Sequence, residues 1–406
     1  MTEQTTINED STINAFLIHA AMLLHRYGTP SHRLERVMSH VASSLGVEAV
    51  FLYTPTALVI SIKNGEAENT VVRRVETREM HVDKLFQADD ILAKLERKQI
   101  TLKIAATRLR EIDQASATYP FWVSAIACAI GCGAIAALFR GSPAEVLAAA
   151  VIGMLTAVIE RIADRYSREA SLIHPAAGFV AAILSLAYAR FIVPIDDRLV
   201  TLAGLIVLIP GLTLTVALTE LAVGHLSAGV ARLAGAVVTL FTLLLGAAIA
   251  WQFAQEWRDI PEKIIAPESW MQWIALLVAP IAFAIIFQAR LPQWPVIFAV
   301  SMLGILVSRS VGPKFGAEVA SFSAALAVGC GSNLYARMRG RPALIAMTPA
   351  MIVLVPGSFG YRSLIAMLDH ETIAGIEIAF YTIMIAMCLV GGLLMSNAVV
   401  PPRRVL

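Results

Sequence analysis

The chain changes character near residue 118, where short periodic segments give way to long, continuous apolar stretches. Before that point, apolar positions at helical spacing predict helices over residues 11–26 and 31–45, separated by a turn at residues 27–31. Runs rich in Val, Ile, Phe and Tyr predict three strands, with a hairpin at Asn64-Gly65, and charged periodic segments predict two further helices. These five elements are expected at residues 48–53, 56–63, 69–75, 82–98 and 101–114.

Beyond residue 118, apolar stretches of about 17 to 28 residues recur, and a helix needs roughly 20 residues to cross a bilayer. Ten transmembrane helices are predicted, at residues 119–139, 143–159, 172–193, 199–222, 226–253, 270–289, 293–308, 315–336, 342–367 and 372–398. The predicted fold class is therefore a mainly α membrane protein of about ten transmembrane helices, preceded by an N-terminal cytosolic α+β domain at residues 1–118.

Composition agrees with this division of the chain. With 57% hydrophobic and 15% charged residues, the protein has more apolar surface than a soluble core of its length would bury. A formal net charge of +2 is too small to indicate a nucleic-acid partner. The first fifteen residues contain three acidic and no basic side chains, so they do not resemble a secretory signal, and the N-terminal domain is expected in the cytoplasm.

Basic residues in the loops predict the orientation, because the loops assigned to the inner side carry twelve of them and the outer loops seven. Ten spans return the chain to its starting side, so we expect a multi-pass protein of the cell inner membrane with both termini in the cytoplasm. Membrane lipid is an expected partner, and the sequence leaves homo-oligomer formation open. Neither a metal nor a cofactor is expected, because the cysteines are interpreted as packing residues within spans, at Cys128, Cys132, Cys330 and Cys388.

An internal repeat relates the two halves of the membrane part. The sequence Ile-Val-Leu-Ile-Pro-Gly at 206–211 returns 146 positions later as Ile-Val-Leu-Val-Pro-Gly, and Tyr-Ala-Arg at 188–190 returns 147 positions later. The repeat predicts two five-helix units, at residues 119–253 and 254–406. Because five is odd, the second unit would enter the membrane in the opposite direction, which is the inverted-repeat arrangement common in secondary transporters.

A Pro-Gly pair lies in the middle of both related spans. Proline removes a helix hydrogen-bond donor and glycine adds a flexible joint, so both spans are predicted to be broken helices. The helix N-termini created near Gly211 and Gly357 would face the membrane midplane, where their free N–H groups could hold a carboxylate. The predicted substrate-binding residues lie at and beside the breaks, at Pro210, Gly211, Thr213, Thr215, Pro356, Gly357, Ser358, Tyr361 and Arg362. The alternative is that each proline only kinks a helix against its neighbours.

An ionisable side chain at the centre of a membrane span costs roughly 2.5 to 3.5 kcal/mol of insertion free energy, so its presence requires an explanation. Glu220, His225 and Arg232 form the predicted proton-coupling group, in which Glu220 would load and release a proton and His225 would relay it. Alternatively, Glu220 lies hydrated at the cytoplasmic end of its span. Arg232 and Arg362 could offset a substrate carboxylate or form a salt bridge with an acid. Glu145, near the outer end of its span, is expected to be solvated.

Three groups of motifs follow one another along the chain, namely YGTPSHRLER at 27–36 with PTAL at 55–58, LIPGLTL at 208–214 with Gly229 and Arg232, and LVPGSFGYR at 354–362. Their order and spacing resemble the threonine/serine exporter family over nearly the whole chain. The resemblance implies a cytoplasmic N-terminal domain joined to a ten-span membrane part. It also implies export of small amino acids, driven by the proton gradient or the membrane potential.

Two features of this resemblance leave the substrate and the coupling ion open. A related two-subunit system, split between the two repeats, exports succinate, so succinate-like dicarboxylates are alternative substrates. The family commonly has Asp in the fourth span where this chain has Glu220, and often a second acid where this chain has His225.

The N-terminal domain has a cluster of ionisable residues around its Gly-Thr-Pro-Ser turn, at His25, Arg26, His32, Arg33, Glu35 and Arg36. One interpretation is a catalytic or ligand-sensing site, which would make the protein a membrane-anchored enzyme or sensor. Ten spans and duplicated helix breaks exceed what an anchor needs, so the sequence favours a membrane transporter of a small carboxylate substrate over an enzyme. The cluster is then interpreted as structural, within a domain that acts as a gate or an assembly element.

Overall fold

The computed structural model describes residues 2–64, 67–75, 80–166, 172–257, 269–352, 354 and 357–402. Its N-terminal part consists of four helices and three strands, which are α1 (Thr2–Arg26), α2 (Ser31–Ser44), β1 (Glu48–Thr54), β2 (Ala57–Asn64), β3 (Ala67–Arg74), α3 (Val82–Glu96) and α4 (Leu102–Gln114). The predicted elements are present with boundaries shifted by one or two residues, except that α1 begins at Thr2 rather than at residue 11. Gly65 of the predicted hairpin lies outside the described residues.

The three strands form an antiparallel sheet in the order β1-β2-β3, with Phe51 paired to Ile60. Side chains alternate across the sheet, because successive residues of a strand point to opposite faces. On the inner face, Phe51 and Ile60 are buried against Leu17 and Leu34 of the first two helices, whereas Val50 on the outer face is exposed. The N-terminal part therefore has an apolar core of its own.

The rest of the chain is helical in the described residues. Its helices are α5 (Phe121–Leu138), α6 (Pro143–Tyr166), α7 (Ile173–Phe191), α8 (Asp197–Gly204), α9 (Gly211–Ala222), α10 (Leu226–Phe253), α11 (Ser269–Ile286), α12 (Trp294–Arg339), α13 (Leu344–Ile352), α14 (Gly357–Leu368) and α15 (Thr372–Val399). Among these residues, seven helical segments are long and apolar enough to cross a membrane. Large side chains such as Phe241 and Phe253 are exposed on them, as expected of surfaces that face lipid. The protein is therefore a membrane protein.

The two spans predicted at 293–308 and 315–336 lie within α12, which consists of two helical arms joined at Gly316. The backbone is non-helical at this residue, with φ 87° and ψ 170°. Only glycine adopts this conformation readily, so the chain can turn sharply there. Gly304 on the first arm packs against Val328 on the second, so the two arms lie side by side.

Two helices are interrupted, and the half-helices that follow, α9 and α14, begin at Gly211 and Gly357, the glycines of the predicted Pro-Gly pairs. The first interruption separates α8 from α9, and the second separates α13 from α14. The start of α8 and the end of α14 meet through an ion pair between Arg198 and Asp369. In contrast, Glu220 near the end of α9 and Leu344 at the start of α13 both contact the N-terminal part. The two interrupted helices therefore run in opposite directions through the bundle.

Glu145 is a correction to the sequence analysis, because it is only 2% exposed rather than solvated. Its carboxylate accepts hydrogen bonds from the backbone N–H groups of Ser142 and Asp196. The first of these caps the start of α6, where the helix dipole favours a negative charge. Glu145 is therefore a structural residue that joins two helix starts.

Close contacts between backbones hold α10 against α7. A Cβ atom added to Gly246 of α10 would overlap the carbonyl oxygen of Pro175, whereas one added to Gly235 of the same helix would meet no atom within 4 Å. A backbone carbonyl cannot move aside as a flexible side chain can. The two helices can therefore approach this closely only because residue 246 is a glycine.

We expect Gly246→Ala to destabilise the folded protein by about 1–3 kcal/mol or more, as overpacking in a core does. Gly235→Ala is the matched control, and its alanine should be neutral or stabilising by up to about 1 kcal/mol from helix propensity. Thermal unfolding of both purified variants in detergent measures the difference. Equal melting temperatures would contradict the close packing of α7 and α10.

Candidate functional site at two interrupted helices

The two helix interruptions meet inside the membrane part. A Cβ atom added to Gly357, the first residue of α14, would lie 2.8 Å from the Cα of Gly211 and 2.9 Å from the Cγ2 of Ile209. Gly211 is the first residue of α9, so the N-termini of two half-helices come together at one point. This contact brings together the two helix N-termini that the sequence predicts to face the membrane midplane, and Pro356 itself lies outside the described residues.

Proline and glycine shape the first interruption. Pro210 precedes α9 with φ −78° and ψ 45°, and no side chain caps the first turn of the helix. The N–H of Gly211 donates to the carbonyl of Ile209 at 2.7 Å, which tightens the chain just before α9 begins. An uncapped helix start carries partial positive charge, which favours an anion.

The predicted polar residues beside the interruptions differ in their surroundings. The Thr215 hydroxyl donates to the carbonyl of Gly211 at 3.2 Å and is buried, whereas Thr213 is only partly buried. Ser358 is 8% exposed. Tyr361 is completely buried in the same apolar cluster as Ile209, and within the described residues its hydroxyl has no hydrogen-bond partner. A buried phenol without a partner can donate to a bound solute.

Arg362 lies further along α14 and is half-buried. Its guanidinium carbon is 4.6 Å from the centroid of the Phe139 ring, a cation–π contact. No acid forms a salt bridge with Arg362 in the part of the chain that the structure describes. Arg362 therefore keeps donors for an anion, whereas Arg198 at the same end of the bundle is paired with Asp369.

Glu220 lies at the opposite end, near the end of α9, and it is completely buried. Its carboxylate is paired with Arg232 of α10, with Nε to Oε2 at 3.0 Å and Nη2 to Oε1 at 3.2 Å. It also accepts a hydrogen bond of 2.8 Å from the backbone N–H of Ser31, the first residue of α2. The alternative in which Glu220 is hydrated is therefore wrong, and of the two alternatives for Arg232 the structure has the salt bridge with an acid.

This hydrogen bond makes Glu220 the N-terminal cap of a helix in another part of the protein. Pro30 occupies the N-cap position of α2 and forms no side-chain cap hydrogen bond. A carboxylate at a helix N-terminus is stabilised by the free N–H groups and by the helix dipole. The membrane part thus supplies the acceptor that the sequence around α2 lacks.

Histidines surround this contact between α2 and the membrane part. The Nδ1 of His225 lies 3.5 Å from a carboxylate oxygen of Glu35, and the rings of His225 and His32 are 6.2 Å apart. Burial, with a contribution from the neighbouring Arg33, lowers the pKa of His32 to about 3. Burial and the nearby Arg232 also lower the pKa of His25. Both imidazoles are therefore neutral at physiological pH.

Further contacts fasten the N-terminal part over the same end of the bundle. Arg290 pairs with Asp83 at 2.7 Å, and Arg341 pairs with Asp90 at 3.0 Å. The side chain of Leu344, at the start of α13, belongs to the apolar core of the N-terminal part. The ionisable cluster around the Gly-Thr-Pro-Ser turn therefore contacts the membrane part, and is not a solvated helix face.

Sequence reasoning missed the residues that form this contact across the two parts. Asp83, Asp90 and Met347 carry no local pattern that indicates a distant partner. One signal was available at Ser31, because a helix that starts after proline without a capping side chain needs an external acceptor. That signal predicts a partner but does not identify Glu220.

Comparisons with known proteins cover most of the chain. Residues 15–254 match the family model described as "Putative threonine/serine exporter", and residues 272–399 match the model described as "Threonine/Serine exporter, ThrE". An uncharacterized protein of Schizosaccharomyces pombe is 26% identical over 90% of this chain and 49% of its own length. Pheromone-regulated membrane protein 10 is 26% identical in both Yarrowia lipolytica and Saccharomyces cerevisiae. The matches cover 88% and 86% of this chain, and 31% and 46% of those proteins.

The chain thus spans less than half the length of these curated relatives. No solved structure gives a significant match to it. The first family model covers more than half of the chain, and the second follows it across α11 to α15. On these matches, the chain belongs to the threonine/serine exporter family, a family of membrane transporters.

Proposed function

We propose that this protein is a secondary active exporter of small amino acids, threonine and serine, and not an enzyme. The proposal depends on one observation. Gly211 and Gly357 are in contact, at two interrupted helices that run in opposite directions. Such crossings of broken helices near the membrane midplane bind substrate in secondary transporters. The partial positive charge of the two helix starts suits the carboxylate of an amino acid.

Contacts that recur at a fixed offset support an inverted repeat of two five-helix units. Gly229 packs against Leu221 and the carbonyl of Ala217, and 146 residues later Gly375 packs against Met367 and the carbonyl of Ser363. Gly246 approaches the carbonyl of Pro175, and Gly392 approaches the carbonyl of Phe322 in the same way. With α12 counted as two arms and each interrupted helix as one span, the units together cross the membrane ten times.

In this proposal the solute lies beside the point where α9 and α14 begin. Gly211 and Gly357 touch, so the carboxylate binds next to this contact and receives hydrogen bonds from the first turns of the two half-helices. The unpartnered hydroxyl of Tyr361 is the candidate donor to the solute. Thr213 and Ser358 are the candidates for contacts with its polar groups, and Arg362 for attraction of its charge.

We infer that the end covered by the N-terminal domain faces the cytoplasm of a cell whose inner membrane holds the protein. The loops predicted to be inner supply the contacts with that domain, through His225, Arg290 and Arg341. Export is then movement from the covered end to the end where Arg198 meets Asp369. Each end has a set of ion pairs that must break for access, as alternating access requires.

Proton coupling is assigned to Glu220, with Arg232 and His225 beside it. In its charged form Glu220 satisfies both the Arg232 guanidinium and the N–H of Ser31. A proton on the carboxyl removes the charge that holds both partners, so protonation would loosen the N-terminal domain from the membrane part. The proton would thus control access at the covered end, rather than contact the solute at the helix breaks.

Succinate-like dicarboxylates are the second candidate substrates. Two helix N-termini converge at the breaks, and each could receive one carboxylate. An amino acid would fill one of these positions, whereas a short dicarboxylate would fill both. The geometry therefore allows either substrate, and the family match favours the amino acid.

Counterflow in proteoliposomes tests the proposal directly. Vesicles that contain the purified full chain are loaded with unlabelled threonine, serine or succinate, and uptake of the labelled compound is followed with and without a pH gradient. We expect threonine and serine to exchange, and the pH gradient to drive net movement. Exchange of succinate alone would select the second candidate, and movement of none of the three would reject an exporter of small carboxylates.

A further inference from the structure

The first turn of α2 spans the covered ends of both interrupted helices. Ser31 donates to Glu220 near the end of α9, and the Nη2 of Arg33 lies 3.5 Å from the sulfur of Met347 in α13. α9 and α13 are the two half-helices between the breaks and the N-terminal domain. The first turn of α2 therefore lies over the ends of both half-helices on the side from which a solute would move to the breaks.

Arg33 has no carboxylate partner in the described part of the chain. Three other arginines of the contact each pair with an acid, namely Arg232 with Glu220, Arg290 with Asp83 and Arg341 with Asp90, whereas the exposed Arg36 has no acidic partner among the described residues. The hydrogen bond of Arg33 goes instead to a thioether, which is a weak acceptor. None of its five N–H donors therefore pairs with an acidic group in the described residues.

The surroundings of Arg33 disfavour an unpaired charge. Burial, with repulsion from Arg36 one turn further along α2, lowers the pKa of Arg33 to about 10. The side chain nevertheless stays protonated at physiological pH. A guanidinium held in such a place without a counter-ion is suited to binding an anion from outside the protein.

Two buried hydroxyls near the same turn point to a polar ligand as well. Thr29 is 1% exposed and Ser31 is not exposed, and within the described residues neither side-chain oxygen has a hydrogen-bond partner. Buried polar atoms are normally paired with protein, water or ligand. Thr29, Ser31 and Arg33 therefore lie within five residues at the start of α2, which contacts both half-helices.

We propose that Arg33 binds the carboxylate of the solute at the mouth of the pathway, before the solute reaches the helix breaks. This inference rests on the proposed function, because it assumes that the transported compound carries a carboxylate. The guanidinium can form two parallel hydrogen bonds to a carboxylate, a geometry that lysine cannot reproduce. Arg33 would thus select carboxylates on the side of the N-terminal domain only.

Transport measured from each side of the membrane tests the inference. For threonine presented on the side of the N-terminal domain, Arg33→Gln is expected to raise KM by about 10-fold or more, the size of a charged hydrogen-bond loss, with kcat nearly unchanged. For threonine presented on the opposite side, KM should stay the same. Arg36→Gln removes the same charge from an exposed position of α2 and should change either KM by less than about 2-fold.

A second comparison separates carboxylate binding from a structural effect of Arg33. 1-Amino-2-propanol is threonine without its carboxylate, and its inhibition constant on the side of the N-terminal domain should be the same for wild type and Arg33→Gln. Arg33→Lys keeps the charge and should recover only part of the threonine affinity. An equal loss of affinity for threonine and for the carboxylate-free analogue, or a KM increase on both sides, would overturn the inference.

Binding to the detergent-solubilised full chain keeps this test independent of transport. Isothermal titration with threonine, succinate and inorganic phosphate compares wild type and Arg33→Gln. If carboxylate binding requires Arg33 but the protein transports no threonine, the Arg33 site is supported and the proposed function is rejected. If the protein transports threonine but carboxylate binding does not depend on Arg33, the proposed function is supported and the Arg33 site is rejected. A preference for phosphate over both carboxylates would also overturn the inference.

Discussion

Glu220→Gln is expected to abolish export driven by a pH gradient, while exchange of threonine between equal pools continues at a rate within about 3-fold of wild type. The substitution removes the proton-binding carboxyl and leaves a side chain of nearly the same size. The carboxylate lies far along α9 from the helix breaks, at the contact with Ser31, so solute binding at the breaks does not depend on it. Initial rates of labelled threonine in proteoliposomes measure both activities.

The structure also predicts what the substitution does to stability. Removal of one partner from a buried ion pair costs about 3–5 kcal/mol, because the other charge is left unpaired. In Glu220→Gln, Arg232 is that charge, and its side chain is only 16% exposed. The double variant Glu220→Gln/Arg232→Gln should therefore be more stable than Glu220→Gln alone, as a thermal double-mutant cycle would measure.

Glu220→Asp is the control that keeps a carboxyl at this position. It should retain pH-driven export, although the shorter side chain lengthens the contacts with Arg232 and Ser31. An equal loss of driven export and of equal-pool exchange in Glu220→Gln would assign Glu220 a purely structural role. Driven export that survives in Glu220→Gln would move the coupling proton to another group.

The sequence was a good guide wherever a structural feature depends on neighbouring residues. The span at 226–253 has the bounds of α10, and α9 and α14 begin at the glycines of the two predicted breaks. Proline and glycine act on the backbone at their own position, so a local pattern identifies the break. The repeat in the sequence, in turn, relates the two breaks, whose glycines are in contact in the structure.

Features that depend on long-range packing were beyond a single sequence. From its position in the span, Glu220 could be either proton-coupling or hydrated. Besides its ion pair with Arg232, it accepts a hydrogen bond from Ser31, which is 189 residues away. Glu145 was expected in solvent, but it caps two helix starts. In both cases the sequence shows the charged side chain. The N–H groups that bind it belong to the backbone, so no residue type identifies them in the sequence.

Gly357→Ala should reduce threonine counterflow by at least about 5-fold, with the protein still folded. The added methyl would lie 2.8 Å from the Cα of Gly211, closer than Cβ atoms pack, and the neighbour is backbone that cannot rotate away. One of the two half-helices must therefore shift, at a cost of about 1–3 kcal/mol, which corresponds to roughly 5-fold to 150-fold in an equilibrium. A displaced helix start no longer directs its N–H groups at the solute.

Gly360→Ala in the same helix is the matched control for this effect. Its added methyl would lie 3.6 Å from a side-chain carbon of Leu240, an ordinary van der Waals distance, so counterflow should stay within about 2-fold of wild type. Both variants are reconstituted at equal protein amounts after size-exclusion chromatography confirms that they fold. If Gly357→Ala transported threonine as fast as Gly360→Ala, close approach of the two helix starts would be unnecessary for transport, and the solute pathway would have to lie elsewhere in the bundle.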